Sequence, residues 1–234
     1  MNDMMKRTDL AMHASVVLLG LLAATAAQAG GHFDVDDAGT LGTGECQYEL
    51  WGGRLRGDAP ASFQHLGPSC RVGAVELGLN ADRSVPRGGS SERYFGPQLK
   101  WTFFGQDADA PWSAALAGGA SFDVRHGGRA GGQIVVPLTW QATPQWSLNV
   151  NVGGDWTPGR GERTVRTGVG GQWSLNDTFA LVAERNRAYT LWTSRIGARV
   201  NLTPHTSLDL SVARTGPGGA RSAIVGLNQV FGAH

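Results

Sequence analysis

Along Gln145-Trp146-Ser147-Leu148-Asn149-Val150-Asn151-Val152-Gly153-Gly154-Asp155-Trp156-Thr157, apolar and polar residues take turns. Trp146, Leu148, Val150, Val152, Gly154 and Trp156 fall on one face, and Ser147, Asn149, Asn151, Gly153 and Asp155 on the other. Side chains in a strand point alternately to opposite sides. The stretch therefore predicts a β-strand with one small, polar face and one apolar face that carries tryptophan at both ends.

The same pattern recurs to either side. Phe95, Leu99, Trp101 and Phe103 alternate with Gln98, Lys100 and Thr102, and Trp112, Leu116, Ala120, Phe122 and Val124 with Ser113, Gly119, Ser121, Asp123 and Arg125. Trp192, Ile196, Ala198, Val200 and Leu202 alternate with Thr193, Arg195, Arg199 and Asn201. Thr143-Pro144-Gln145, Asn176-Asp177 and Thr203-Pro204-His205 read as tight turns, whereas 84–91, 126–130, 158–163 and 215–219 read as longer loops rich in Gly, Arg and Ser. Short turns on one side and longer loops on the other are what insertion of a barrel into an outer membrane predicts. Counting back from a last strand over 220–231 gives about twelve strands.

The chain holds 35 glycines and eight tryptophans among 234 residues, about twice the glycine share of roughly 7% found in ordinary domains. No apolar run past the first thirty or so residues approaches the ~18 residues of a spanning helix. Two all-β architectures fit: a water-soluble sandwich with its apolar faces inward, and a membrane barrel with them outward. Charge separates the two. The apolar faces are free of it over most of their length and carry tryptophan near their ends, where interfacial girdles lie. The polar faces mix ionisable groups with glycines and amides, as a wet lumen would. The expected fold class is thus all-β, a transmembrane antiparallel β-barrel, with Trp101, Trp112, Trp140, Trp146, Trp156, Trp173 and Trp192 as its aromatic girdle.

Lys6 and Arg7, the apolar run from Ala14 to Ala27, and Ala27-Gln28-Ala29 spell a cleavable signal peptide over 1–29, too short to span a bilayer. Removal of that segment leaves a leader over 30–43 and a barrel over 44–231, exported to the outer membrane of a Gram-negative cell. A net charge of +1 offers no field for nucleic acid, so none is expected as a partner. After the signal, Lys100 is the sole lysine and every other cation is arginine, a usage that GC-rich coding also produces.

Cys46 and Cys70 are the only cysteines. Taking 44–56, 61–71 and 75–83 as three strands keeps the total even, as single-chain barrels of this kind require. The first hairpin then centres near Asp58 and sets Cys46 opposite Cys70, at a separation a disulfide can bridge. Two unpaired thiols are the alternative.

Phe33-Asp34-Val35-Asp36-Asp37-Ala38-Gly39-Thr40-Leu41-Gly42-Thr43-Gly44, followed by Glu45-Cys46-Gln47-Tyr48-Glu49-Leu50, resembles the opening of the MetA-pathway of phenol degradation family. That family has an aspartate-rich lead into a first strand with Gln and Glu two apart, matched here by Gln47 and Glu49. Val35 departs from it, standing where the family often has threonine. Val72-Gly73-Ala74-Val75-Glu76-Leu77-Gly78-Leu79 and Leu202-Thr203-Pro204-His205-Thr206-Ser207-Leu208-Asp209-Leu210 are similar to its early and penultimate hairpins, in more generic terms. The resemblance implies an outer-membrane barrel that passes small or aromatic compounds. At the other end, Phe231 is followed by Gly232-Ala233-His234, so the terminal aromatic of many such barrels is displaced inward.

Glu76, Lys100, Asp123, Arg125, Arg166, Glu184, Arg195 and Arg199 fall on lumen faces and are candidates for setting selectivity. Charge rings of one sign select ions, but acids and bases are interspersed here, which favours mutual pairing that fills the lumen. Asp34, Asp36 and Asp37 are candidates for a plug that meets lumen arginines. Their spacing lacks the ligand loop of a Ca²⁺ site, and no metal or cofactor is expected. His205-Thr206-Ser207 has the spelling of a lipid hydrolase pair, yet it falls in a turn on the periplasmic side, without a third orienting group. The composite expectation is a passive channel or transporter for small, aromatic or anionic solutes rather than an enzyme. A closed structural or interaction barrel is the alternative, and a lipid hydrolase ranks below both. The expected partners are outer-membrane lipid, the barrel-assembly machinery and a small solute.

Overall fold

The computed structural model describes residues 32–107, 109–157 and 162–232, and the signal expected over 1–29 lies outside them. In chain order the strands are β1 (Glu45–Arg56), β2 (Ala61–Val72), β3 (Val75–Pro86), β4 (Glu92–Phe104), β5 (Trp112–Asp123) and β6 (Gly128–Thr143). They continue as β7 (Trp146–Thr157), β8 (Glu162–Ser174), β9 (Phe179–Ala188), β10 (Leu191–Thr203), β11 (Thr206–Thr215) and β12 (Ala220–Gly232). Each strand pairs antiparallel with the next, and β1 closes onto β12 to complete a twelve-stranded barrel. Closure leaves no free edge, so ladder bonds satisfy the backbone all the way round.

Local chemistry sets the hairpins. In the β6–β7 turn the Thr143 hydroxyl accepts from the N–H groups of Gln145 and Trp146, at 3.2 and 3.1 Å. In the β8–β9 turn Asn176 Oδ1 accepts from Thr178 and Phe179, at 2.9 and 2.8 Å, which is an Asx turn. The β9–β10 turn is unusual in that Tyr189 and Thr190 both have positive φ, 47° and 72°. A branched side chain is unfavourable there, and Asp155 braces the turn by accepting from Tyr189 N at 2.9 Å. The loops expected over 84–91 and 126–130 are partly strand, because β3 continues to Pro86 and β6 begins at Gly128. Gly128 is paired with Asp123 across the β5–β6 ladder, where composition alone suggests loop.

Face assignment separates the two all-β alternatives. On β7, Trp146 is 49% exposed and Val152 56%, while Asn151 and Asp155 are 3% and 2% exposed. The apolar face looks outward and the polar face inward, the reverse of a water-soluble sandwich. All three first strands form as expected, with Cys46 opposite Cys70 in the β1–β2 register and the two joined in a disulfide.

The tryptophans sit near both rims. Trp112 stacks on Trp140 at 5.4 Å and Trp146 on Trp173 at 5.1 Å, each pair directly opposed across neighbouring strands. Together with Trp101 they belong to the end that also carries Glu45 and Gly232. Trp156, over Gly132, and Trp192, under the Arg185 guanidinium at 4.9 Å, mark the opposite end.

Candidate functional site

The inner wall is a set of matched charges. Arg199 Nε and Nη2 donate to the two carboxylate oxygens of Asp209, at 2.7 and 2.8 Å, and Asn228 donates to Asp209 as well. Arg166 donates to Asp155 at 2.7 Å, and His65 lies 2.7 Å from Asp82. Arg195 stands 2.9 Å from Glu184. Such pairs sit side by side because antiparallel register brings Arg199 opposite Asp209, Arg195 opposite Glu184 and His65 opposite Asp82. Most of these groups are nearly sealed from solvent; Asp209, for instance, is 0% exposed. A buried charge is costly unless it is paired and fully hydrogen-bonded.

Residues 32–43 lie inside this wall. Glu184 accepts from two consecutive leader N–H groups, Asp34 at 3.0 Å and Val35 at 2.9 Å. Thr139 accepts from Ala38 N at 2.8 Å while Thr102 donates to Ala38 O at 2.6 Å. Nearer the termini, Glu76 accepts from Leu41 N at 3.1 Å and Arg71 donates to Leu41 O at 2.8 Å. Asn151, with its amide turned so that Nδ2 donates to Asp36 O and Oδ1 accepts from Asp36 N, makes both bonds at 2.8 Å. The side chains lock in as well. Asp34 bridges to Arg195 at 2.6 Å and Asp37 to Lys100 at 3.1 Å, while His32 bonds Ser211 at 2.6 Å. Val35, Ala38 and Leu41 are each no more than 5% exposed.

Glycines make room for this segment. A Cβ on Gly168 or Gly170 of β8 would meet the Val35 side chain at 2.8 or 3.3 Å, one on Gly197 would meet Phe33 at 3.0 Å, and one on Gly226 would meet His32 at 3.1 Å. Sequence reasoning missed these residues. The signal available was Gly168 and Gly170 two apart, hence on one face of a strand that glycine interrupts only with a reason.

Beyond His32 and Phe33, toward the end opposite the termini, the lumen widens into a cavity of about 290 Å³. Phe33, Trp51, Phe63 and Tyr94 line it, with Asp82 and Arg195 as polar wall. Trp51 stacks on His65 at 4.5 Å and is the one tryptophan of the eight that faces inward, on the same side of β1 as Gln47 and Glu49. Two of the expected lumen residues lie at the end of β5 or past it. Asp123 ends β5 at the rim, where it accepts from the backbone N–H of Arg125 and His126. Arg125 lies past that strand, exposed, and donates to Ser91 O. The alternation of β5 stops at Asp123, so parity carries no further. His205 occupies the β10–β11 turn, and the Ser207 hydroxyl accepts from Asn228 at 3.1 Å.

No curated relative matches the chain. Among solved structures it is similar to the NanC porin, with TM-score 0.61 and 12% identity over 78% of this chain and 98% of that one. It is also similar to the COG4313 outer membrane channel from Pseudomonas putida F1, at 0.56 and 11% over 86% and 100%. A third likeness is to outer membrane phospholipase A from Escherichia coli, at 0.53 and 13% over 84% and 98%. At these identities the shared property is the fold, that of outer-membrane barrels. A family model spans nearly the whole chain, matching residues 17–227, and the protein belongs to the family it describes, "Uncharacterised conserved protein UCP029691".

Proposed function

We propose that this barrel sits in the outer membrane of a Gram-negative cell as a passive channel for small solutes, with residues 30–43 as a built-in plug. In this reading 1–29 is the export signal, the strand end bearing the termini is periplasmic, and the surrounding partners are lipid and the assembly machinery. The observation that carries it is the leader's attachment. Its backbone bonds to side chains of β3, β4, β6 and β9 rather than to a neighbouring strand. A strand-like partner would be permanent wall, whereas a segment held by side chains can leave without breaking the barrel.

With the leader in place, the wall charges are paired and the aromatic cavity is open only beyond Phe33. With the leader out, Lys100 would lose Asp37 and Arg195 would lose Asp34 while keeping Glu184, which makes a lumen wide enough for small solutes more cationic. That arrangement favours an anionic solute, and the wall rings of Trp51, Phe63 and Tyr94 favour an aromatic one. The resemblance to the MetA-pathway of phenol degradation family supports the same class. The extent of internal pairing favours a second reading, a closed structural barrel. We assign no catalytic role, since His205 and Ser207 stand at the periplasmic turn.

Planar-bilayer recording discriminates the two. Gly170→Leu should expel Val35 and give conductance steps several-fold larger than those of the natural protein, while Arg195→Ala in that background should reduce anion preference. Silence from a folded Gly170→Leu barrel would favour the closed structural reading.

A further inference from the structure

The outward faces of the two rims differ in chemistry. Near the termini they carry the stacked tryptophans, while at the opposite rim they carry arginine in addition to Trp156 and Trp192. Arg54 is exposed on the same face of β1 as Leu50, and Arg221 on the same face of β12 as Val225. Arg214 shares a face with Val212, Arg83 with Leu79, and Arg93 with Phe95, all of them exposed apolar residues of the outer wall. Arg54, Arg93, Arg214 and Arg221 therefore top the apolar band outside the lumen cavity, and Arg83 shares that outer face while also bordering the cavity.

Register gathers them. Arg214 opposes Arg221, Arg221 opposes Arg56, and Arg83 opposes Arg93. Between the two groups, Ser62 opposes Arg54 and Gln64 opposes Arg83, so β2 contributes neutral polar side chains. The arc thus runs unbroken over β11, β12, β1, β2, β3 and β4, half the circumference, or about 24 Å at the usual strand spacing. Like charges directly opposed across strands are destabilising. None of these six arginines forms an ion pair among the described residues. This contrasts with the lumen, where every arginine named above has a carboxylate partner or a leader carbonyl.

We propose that this arc binds phosphate-bearing anionic lipid headgroups of the leaflet it faces, which supply the counter-charge the protein omits. The proposal rests on the membrane reading given above. Guanidinium is planar and grips phosphate oxygens through two parallel bonds. Its apolar stem lies along the hydrocarbon-facing wall while the head reaches the interface. Height decides the source of the phosphate. Arg214 and Arg93 stand one same-face step, about 7 Å, beyond exposed Val212 and Phe95. Arg83 and Arg221 stand one such step beyond Ala81 and Ala223, two beyond Leu79 and Val225, which is headgroup level and not bulk water.

Native mass spectrometry of the full barrel in neutral detergent, titrated separately with phosphatidic acid and phosphatidylcholine, tests this. Phosphatidic acid should be retained about tenfold more tightly, and that preference should vanish in Arg56→Gln/Arg214→Gln/Arg221→Gln. Unchanged heat-modifiable gel mobility would establish that the variant is folded. Should it misfold, the natural protein still decides: raising NaCl from about 0.05 to about 0.5 M should weaken retention of phosphatidic acid and not of phosphatidylcholine. Equal retention of both lipids, or a salt-independent preference, overturns the proposal. So does competition by inorganic phosphate as effective as the lipid, which would mean a soluble-anion site. A protein that stays monodisperse without detergent would overturn the membrane reading itself.

Discussion

Glu184 is where leader and wall become one structure. Its two oxygens accept from the N–H groups of Asp34 and Val35, and the same carboxylate stands beside Arg195, which also holds Asp34. Truncation by Glu184→Ala would strip two leader donors of their acceptor and leave Arg195 with Asp34 as its counter-charge. Removing one partner of a buried pair typically costs about 3–5 kcal/mol, and the surviving Asp34 bridge argues for the lower end. Urea unfolding of the folded barrel should show a loss of about 3 kcal/mol, together with new protease cleavage within the leader. Glu184→Gln retains one acceptor oxygen and should lose less. Equal losses in the two variants would mean that the carboxylate's charge and second oxygen do not hold the leader.

The strands were largely legible, and the reason is geometric. Period-two alternation is a local property of each strand, so Trp146 to Trp156 could be read without knowing any neighbour, and an even strand number then fixed Cys46 opposite Cys70. Leader docking was not legible in the same way. Val35, Ala38 and Leu41 follow no strand or helix period, and the glycines that receive Val35 lie more than a hundred residues away on β8. A glycine advertises space without saying what fills it. Trp51 was a different omission: it was left out of the expected girdle and not placed in the lumen either, although its parity with Gln47 and Glu49 marks it as inward. Arg125 was misplaced because alternation was extended past Asp123, the last residue of β5. At this scale the disulfide carries a prediction. It ties the start of β1, the strand that closes the barrel on β12, to the end of β2. Closing a loop of that length is worth about 3 kcal/mol by chain entropy. Cys46→Ser/Cys70→Ser should therefore lower the urea midpoint by a corresponding amount, while a barrel of unchanged stability would show that the ladder alone fixes β1.

For the molecule as a whole, the deciding quantity is the solvent on the outer wall. Trp146 and Trp156 lie on one face of β7, about 33 Å apart along the strand, which projects to about 25 Å at a barrel tilt near 40°. That height matches the hydrocarbon band of an outer-membrane barrel. Val152 lies between them on the same face and is 56% exposed. Were this wall in water, Val152→Arg would be a surface change worth no more than about 0.5 kcal/mol either way. In hydrocarbon near the midplane the same arginine costs about 2–4 kcal/mol, falling to about 0–1 near the interface. Val124, 61% exposed just past β5 at the arginine-bearing rim, supplies the shallow comparison. Refolding each variant into lipid vesicles and unfolding it in urea should give a large loss for Val152→Arg and a small one for Val124→Arg. The dependence on depth is the informative part, because two equally exposed valines in water have no reason to differ. Matching small losses at both positions would mean that lipid does not surround the barrel, and the channel reading would lose its membrane.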